Sequence, residues 1–176
     1  MSGGTCILIG APLDCGKRRR GCSMGPEAYR VAGLAETLAD LGWRVEDRGD
    51  VPGPKAPPPA PAGQVHARSE NIEWTRLLSN AARDAMATGF PIFLGGDHAL
   101  SLGTVAGVAD HAAAKGRPLF VLWLDAHPDI HSPATSASGN LHGTPIGYVT
   151  GQPGFDGFPP MANPVPPRNI CFVGLR

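Results

Sequence analysis

The chain has 176 residues with 24 Gly and 19 Pro, and its 15 basic and 15 acidic side chains cancel. A charge balance of zero argues against a disordered chain and against a general nucleic-acid or membrane-surface binder, while the length is enough to bury a core. Four cysteines without a C-x-x-C pair exclude a disulfide scaffold and a structural zinc site. No apolar run reaches transmembrane length, and Met1–Ile9 has no basic region ahead of an apolar stretch, so no signal peptide is expected and a reducing cytoplasm is.

In chain order, Thr5–Gly10 reads as a buried strand, followed by a Gly- and Arg-rich loop to Gly25. Pro26 suits the first turn of a helix, and Ala28, Val31, Leu34, Leu38 and Leu41 recur at helical spacing up to Gly42. Trp43–Asp47 reads as a second strand, and the proline-rich stretch at 52–63 as an extended loop. A long helix is expected over Gln64–Thr88, with Trp74, Leu77, Leu78, Ala81 and Ala85 on one face. Strand Phe90–Leu94, a small-residue helix Leu100–Lys115 and strand Leu119–Leu124 follow. A second Pro/Gly-rich loop at 151–168 then leads to strand Asn169–Gly174. Strands alternating with helices, and apolar throughout, predict an α/β fold with a parallel sheet covered on both sides. Ligands then belong at the carboxyl ends of the strands.

Two segments at such ends carry chemistry-bearing residues. Gly95-Gly96-Asp97-His98 follows the third strand and Asp125-Ala126-His127-Pro128-Asp129 the fourth. In an extended chain the period of two puts Asp125, His127 and Asp129 on one side. Carboxylate and imidazole donors without thiolate suit a hard-to-borderline divalent ion such as manganese, and clustered carboxylates call for a cation. Asp97 is most simply a helix N-cap or a partner standing behind the ligands. The segment from His131 to Gly143 is dense in hydroxyl, amide and imidazole groups, and its place after the acidic cluster suits a substrate loop. Gly10 to Lys17 follows a strand as a phosphate loop would. Five residues separate its glycines, however, and Arg18 stands where a hydroxyl residue should hold magnesium.

G-G-D-H, D-A-H-x-D and S-G-N-L-H-G, in this order, resemble the motifs of arginase in the manganese ureohydrolase family, and Arg19–Pro26 resembles a loop of bacterial arginases. The resemblance covers residues 5 to 176. It implies a three-layer parallel α/β sheet and hydrolysis of L-arginine to L-ornithine and urea by a hydroxide bridging two manganese ions. By the same resemblance Asp125 would bridge both ions, His98 and Asp129 would bind one, and His127 the other. His142 would be the catalytic proton carrier. His131, Ser136, Ser138 and Asn140 would bind substrate, with His131 where many arginases have asparagine. The expected partners are a small-molecule substrate and, in the full-length family, further copies of the chain, without nucleic acid or membrane. Agmatinase or another guanidino or formimino hydrolase is the alternative within the family.

The family's domain continues past the equivalent of Arg176, and its second metal motif, D-x-D, has no counterpart here. Asp156 is the only acidic residue after Asp129. The expectation is therefore the N-terminal part of a single ureohydrolase domain, spanning residues 1–176 and inactive alone. The alternative to that is a non-catalytic relative that binds metal weakly or joins a full-length copy. Because family strands seven and eight lie between three and four, strands three and four are expected not to pair.

Overall fold

A computed structural model describes residues 4–55 and 65–176. Two parallel sheets organise it. The first has the order β2 (Arg44–Asp50), β1 (Thr5–Ala11), β3 (Phe90–Gly95), and the second pairs β4 (Val121–Leu124) with β5 (Ile170–Val173). In register, Cys6 lies opposite Phe90 and Ala11 opposite Gly95, so the ends of β1 and β3 reach the same level. β4 and β5 run level too, from Val121 opposite Ile170 to Leu124 opposite Val173. Among the described residues no ladder joins β3 to β4, as expected.

The apolar β1, Thr-Cys-Ile-Leu-Ile-Gly-Ala, is buried along nearly its whole length because it lies between two neighbours. β2 is different: Arg44, Glu46, Asp47, Arg48 and Asp50 make it a charged, largely exposed edge, which discourages pairing with another chain. The first helical stretch is two helices, α1 (Gly25–Val31) and α2 (Leu34–Asp40), where one was expected. Gly33 between them has φ of 81°, a left-handed conformation that ends the first helix and redirects the chain.

α3 (Arg68–Met86) is shorter than the periodicity predicts, and Gln64 and most of the 52–63 loop lie outside the described residues. Its buried stripe is Asn71, Trp74, Thr75, Leu78, Ala82 and Ala85, so Leu77 and Ala81 sit on its flank. α4 (Leu100–Ala114) presents Gly103 and Gly107 to it. A methyl group on Gly103 would lie 2.5 Å from the Thr75 carbonyl oxygen, and one on Gly107 2.2 Å from that of Ser79. The missing side chains therefore let the two helix backbones touch.

The core gathers Leu13, Cys15, Trp74, Leu78, Leu102, Trp123, Leu141 and Val149 between the two sheets and α3, α4 and α5 (Pro145–Val149). α5 was not expected, since five residues are too few to show a period. The 151–168 segment is irregular but packed: Phe155 and Phe158 pack at a tilt against Tyr148, whose hydroxyl donates to the Pro159 carbonyl at 2.7 Å. The expected cover of the sheet also fails at one strand. The sheet is not covered on both sides at β4, where Trp123 is 7% exposed but Leu122 and Leu124 are 63% and 71% exposed. Alternate side chains point to opposite faces, and only the Trp123 face meets the core.

Candidate metal centre and substrate loop

β3 ends in Gly95, and Gly96, with φ of 57°, turns the chain so sharply that a methyl group there would lie 2.3 Å from the Ala11 carbonyl oxygen. The turn is held by the Asp97 N–H donating to the Leu13 carbonyl at 2.7 Å. Asp97 is buried, and its Oδ1 accepts from the Ala99 N–H at 2.9 Å. The N-cap of α4 is Ala99 itself, so Asp97 closes the turn ahead of the cap and does not occupy it. Its Oδ2 is buried without a hydrogen-bond partner among the described residues.

His98 is thereby presented to the acidic segment after β4. Its Nε2 lies 3.1 Å from Asp129 Oδ2 and 3.5 Å from Asp125 Oδ2. Trp123, at the end of β4, supports the imidazole from the side, with ring centroids 5.0 Å apart. The three residues each offer a ligand atom within 4.8 Å of the others. Asp125 is tied down by the His127 N–H donating to its Oδ1 at 2.9 Å, and its own N–H continues the sheet to the Val173 carbonyl.

His127 does not join this group. It is exposed, and its Nδ1 lies 3.4 Å from Asp125 Oδ1, on the opposite oxygen from His98. The extended alternation expected for residues 125–129 is absent, because the chain bends directly after β4. Asp129 reaches the site by a left-handed conformation, φ 48°, and is 6% exposed. Its carbonyl accepts the N–H groups of Ile146 and Gly147 at the start of α5, at 3.0 and 3.2 Å. The unexpected short helix thus fixes the backbone of one acidic residue of the cluster.

Electrostatics follow from this geometry. Burial pushes the His98 pKa down, but the hydrogen bond to Asp129 and the charges of Asp129, Asp125 and Asp97 outweigh it, so the net shift is upward. The His127 backbone N–H is the main cause holding the Asp125 carboxyl below its ordinary value, with burial opposing and both histidines helping. The cluster is a place where positive charge is favoured. Its donors, two carboxylates and an imidazole with no thiolate, fit a hard or borderline divalent cation.

The 131–143 segment wraps beside it. His131 is exposed and its Nδ1 lies 3.3 Å from Thr135 Oγ1, a neighbour the motif reading did not single out. Ser136 is buried and donates to the Asn140 carbonyl at 3.3 Å, whereas Ser138 is exposed and accepts from the Asn140 N–H at 3.2 Å. Asn140 Oδ1 accepts from the Arg18 N–H at 3.2 Å. His142 is half-buried in a single 3-10 turn, Leu141–Gly143, whose Leu141 and His142 N–H groups donate to the Gly16 carbonyl at 2.7 and 3.2 Å. The glycine after it comes close to the acidic cluster, since a methyl group on Gly143 would lie 3.9 Å from Asp129 Oδ1.

Asn71 is the residue that sequence reasoning missed. Its amide donates to the Cys15 carbonyl at 3.0 Å and to the Ala67 carbonyl at 2.9 Å, anchoring the Gly16 loop to α3. Its one signal in the sequence is its spacing, three residues before Trp74 and seven before Leu78.

Residues 4–176 match the Arginase family. An arginase of Agrobacterium fabrum is 50% identical over 174 residues, covering 98% of this chain and 54% of the relative. A crystal structure of arginase from Bacillus subtilis superposes with a TM-score of 0.83 at 35% identity, covering 98% of this chain and 57% of that one. An Entamoeba histolytica arginase solved with L-ornithine gives 0.84 at 28% identity, covering 100% and 60%. The chain spans a little over half the length of these relatives. Matched along nearly its whole length, with the same fold and its acidic cluster at the strand ends, the chain belongs to the arginase family.

Proposed function

We propose that the chain carries the first metal motifs and the substrate loop of a manganese-dependent arginase, which hydrolyses L-arginine to L-ornithine and urea. The observation that carries this reading is the convergence of Asp125 and Asp129 on His98 beside the 131–143 loop. His98, Asp125 and Asp129 would hold one divalent ion, and the second oxygen of Asp125 with His127 would face another. Bound there, such ions supply positive charge that lowers the proton affinity of a water and polarises a guanidinium.

The chain's own residues do the rest. Asp125 is fixed by the His127 N–H so that its two oxygens point to different histidines. His142, on a turn anchored to Gly16, hands a proton to the leaving amine. The exposed hydroxyl of Ser138 and the His131 ring bind the substrate α-carboxylate. Ser136 and Asn140 shape that part of the loop through the Ser136 hydroxyl on the Asn140 carbonyl. The L-ornithine bound to the Entamoeba relative is the amino-acid product this reading predicts, and it favours arginine over a decarboxylated substrate. The enzyme would act on a small molecule, in the cytoplasm, as a homo-oligomer. No helix among the described residues is long and apolar enough to cross a membrane.

The test has two arms. Manganese titration of this chain by calorimetry is expected to show binding that weakens at least about tenfold in His98→Ala or Asp129→Asn. Fused to the remaining half of the Agrobacterium relative, the chain is expected to release urea from L-arginine and not from agmatine, and to lose that activity with His98→Ala. Manganese binding unchanged by both substitutions would overturn the reading of the centre. Urea from agmatine alone would overturn the substrate.

A further inference from the structure

The Arg-rich loop before α1 holds a second reactive arrangement, built from residues outside the acidic cluster. Lys17 Nζ lies 2.6 Å from Cys22 Sγ. That is shorter than the ~2.9 Å typical of an N–H···O hydrogen bond, although sulfur is the larger atom. Neither side chain is free to wander, because the loop is closed on itself. Asp14 Oδ1 accepts from the Cys22 N–H at 3.0 Å, and its two oxygens accept from the Gly21 N–H at 3.1 and 2.9 Å. At the other end the Gly16 carbonyl is held by Leu141 and His142. The two reacting atoms are therefore positioned by backbone contacts on both flanks.

We propose that Lys17 and Cys22 form an oxidation-sensitive pair that a hydroperoxide converts to a covalent Nζ–O–Sγ bridge. A separation far inside ordinary nitrogen–sulfur contact suits a span of one oxygen atom, two single bonds meeting at a bent angle. Both residues are partly exposed, and Cys22 lines a cavity of about 450 Å³ with Gly21, Met24 and Tyr29, wide enough to admit a peroxide. Arg18, Arg19 and Arg20 add an exposed, electropositive surround of the kind in which thiols oxidise selectively. Cys6 and Cys15 are buried, and burial pushes both thiols up, so they do not compete.

The chemistry balances. The Cys22 thiol is first oxidised to a sulfenic acid by one hydrogen peroxide, releasing water. The hydrogen bond to Cys22 is the chief cause that holds the Lys17 ammonium above its ordinary range, and oxidation of the sulfur weakens that hold so that a proton can leave. A second peroxide then oxidises the amine nitrogen as the N–O bond forms, and two more waters leave. Sulfur and nitrogen each lose two electrons, and the four are taken up by the two peroxides. The Cys22 S–H bond and one Lys17 N–H bond are broken. One oxygen is gained and two hydrogens are lost, a rise of about 14 Da, whereas a sulfenic acid adds about 16 Da and a disulfide loses about 2 Da.

The test is mass spectrometry of the intact chain and its peptides after mild hydrogen peroxide, before and after a dithiol reductant. A gain of about 14 Da is expected, mapped to a crosslink between Lys17 and Cys22 and reversed by the reductant. Lys17→Arg and Cys22→Ser are each expected to abolish it. Cys171→Ser, which removes the exposed thiol on β5, should leave it unchanged. The proposal is overturned if Cys22 passes only to the sulfenic, sulfinic and sulfonic forms with Lys17 unmodified. It is equally overturned if the gain survives in Lys17→Arg.

Discussion

Asn71 ties α3 to the loop before Gly16 through one side chain. It sits on the buried stripe of α3, and its amide bonds the Cys15 carbonyl one residue before Gly16, which in turn holds the His142 turn. Replacing it with Ala leaves that carbonyl buried and unsatisfied, a loss of about 1–3 kcal/mol. Urea denaturation should show the loss as a lower midpoint with an unchanged slope; a midpoint equal to the parent's would remove Asn71 from this role. Sequence legibility differs between such residues for a physical reason. His98, Asp125 and Asp129 are visible because imidazole and carboxylate at the ends of apolar strands have few purely structural uses. Asn71 is not, because a polar residue in a helical pattern reads as solvent-facing until the partner carbonyl, 56 positions away, is known. Asp129 is legible as a residue but not as a conformation: its left-handed φ depends on α5, which has too few residues to reveal itself.

At the scale of elements, charge and close packing hold the pieces together in ways that can be separated. Arg30 of α1 fastens the edge strand β2, with Nε 2.8 Å from Asp47 Oδ2 and Nη1 2.7 Å from Asp50 Oδ1. The hydrogen bond from Arg30 is the main cause that holds the Asp47 carboxyl below its ordinary value. A carboxyl whose pKa falls on folding stabilises the fold fully above its unfolded pKa, near 4. That contribution disappears as pH drops through the folded value. Asp47→Asn should therefore cost up to about 1 kcal/mol at pH 7, given solvent screening at this exposed strand, and progressively less in acid. Thermal unfolding midpoints of the two proteins measured from pH 7 downward should converge; a constant gap would show that the charge is not the cause.

The α3–α4 contact is steric, and its prediction has no pH dependence. Gly107→Ala would put a methyl 2.2 Å from the Ser79 carbonyl oxygen, which belongs to a helix backbone and cannot swing aside. The helices must separate, and the expected destabilisation is about 1–3 kcal/mol despite alanine's better helix propensity. Gly116, whose added methyl would meet nothing, has a φ of 64° and so tests backbone conformation alone. The small-residue composition of α4 is legible in the sequence, but its reason is not. Glycine lowers helix propensity locally, and only the partner helix explains why these positions carry it.

At the scale of the whole molecule, the two sheets meet the shared core unequally. β1 is buried on both faces, while β4 turns Trp123 inward and Leu122 and Leu124 outward, with Phe120 69% exposed just before it. The apolar run Leu119–Leu124 therefore predicts the strand, which begins two residues later at Val121, but not its one-sided cover, because hydrophobicity records what a residue tolerates and not what lies against it. This inequality makes opposite predictions for neighbouring positions. Leu122→Ser and Leu124→Ser should each change the stability of this chain by no more than about 0.5 kcal/mol, as expected for exposed sites. Trp123→Ala should cost about 3–5 kcal/mol by emptying the core beneath His98. Dye binding gives the independent check, since the Phe120, Leu122 and Leu124 face is an exposed apolar patch of the kind that takes up an anilinonaphthalene dye. The double variant Leu122→Ser/Leu124→Ser should bind less dye while unfolding at the same denaturant concentration. If it instead unfolds as readily as Trp123→Ala, the outer face of β4 is covered, and the two sheets are packed differently from the arrangement described.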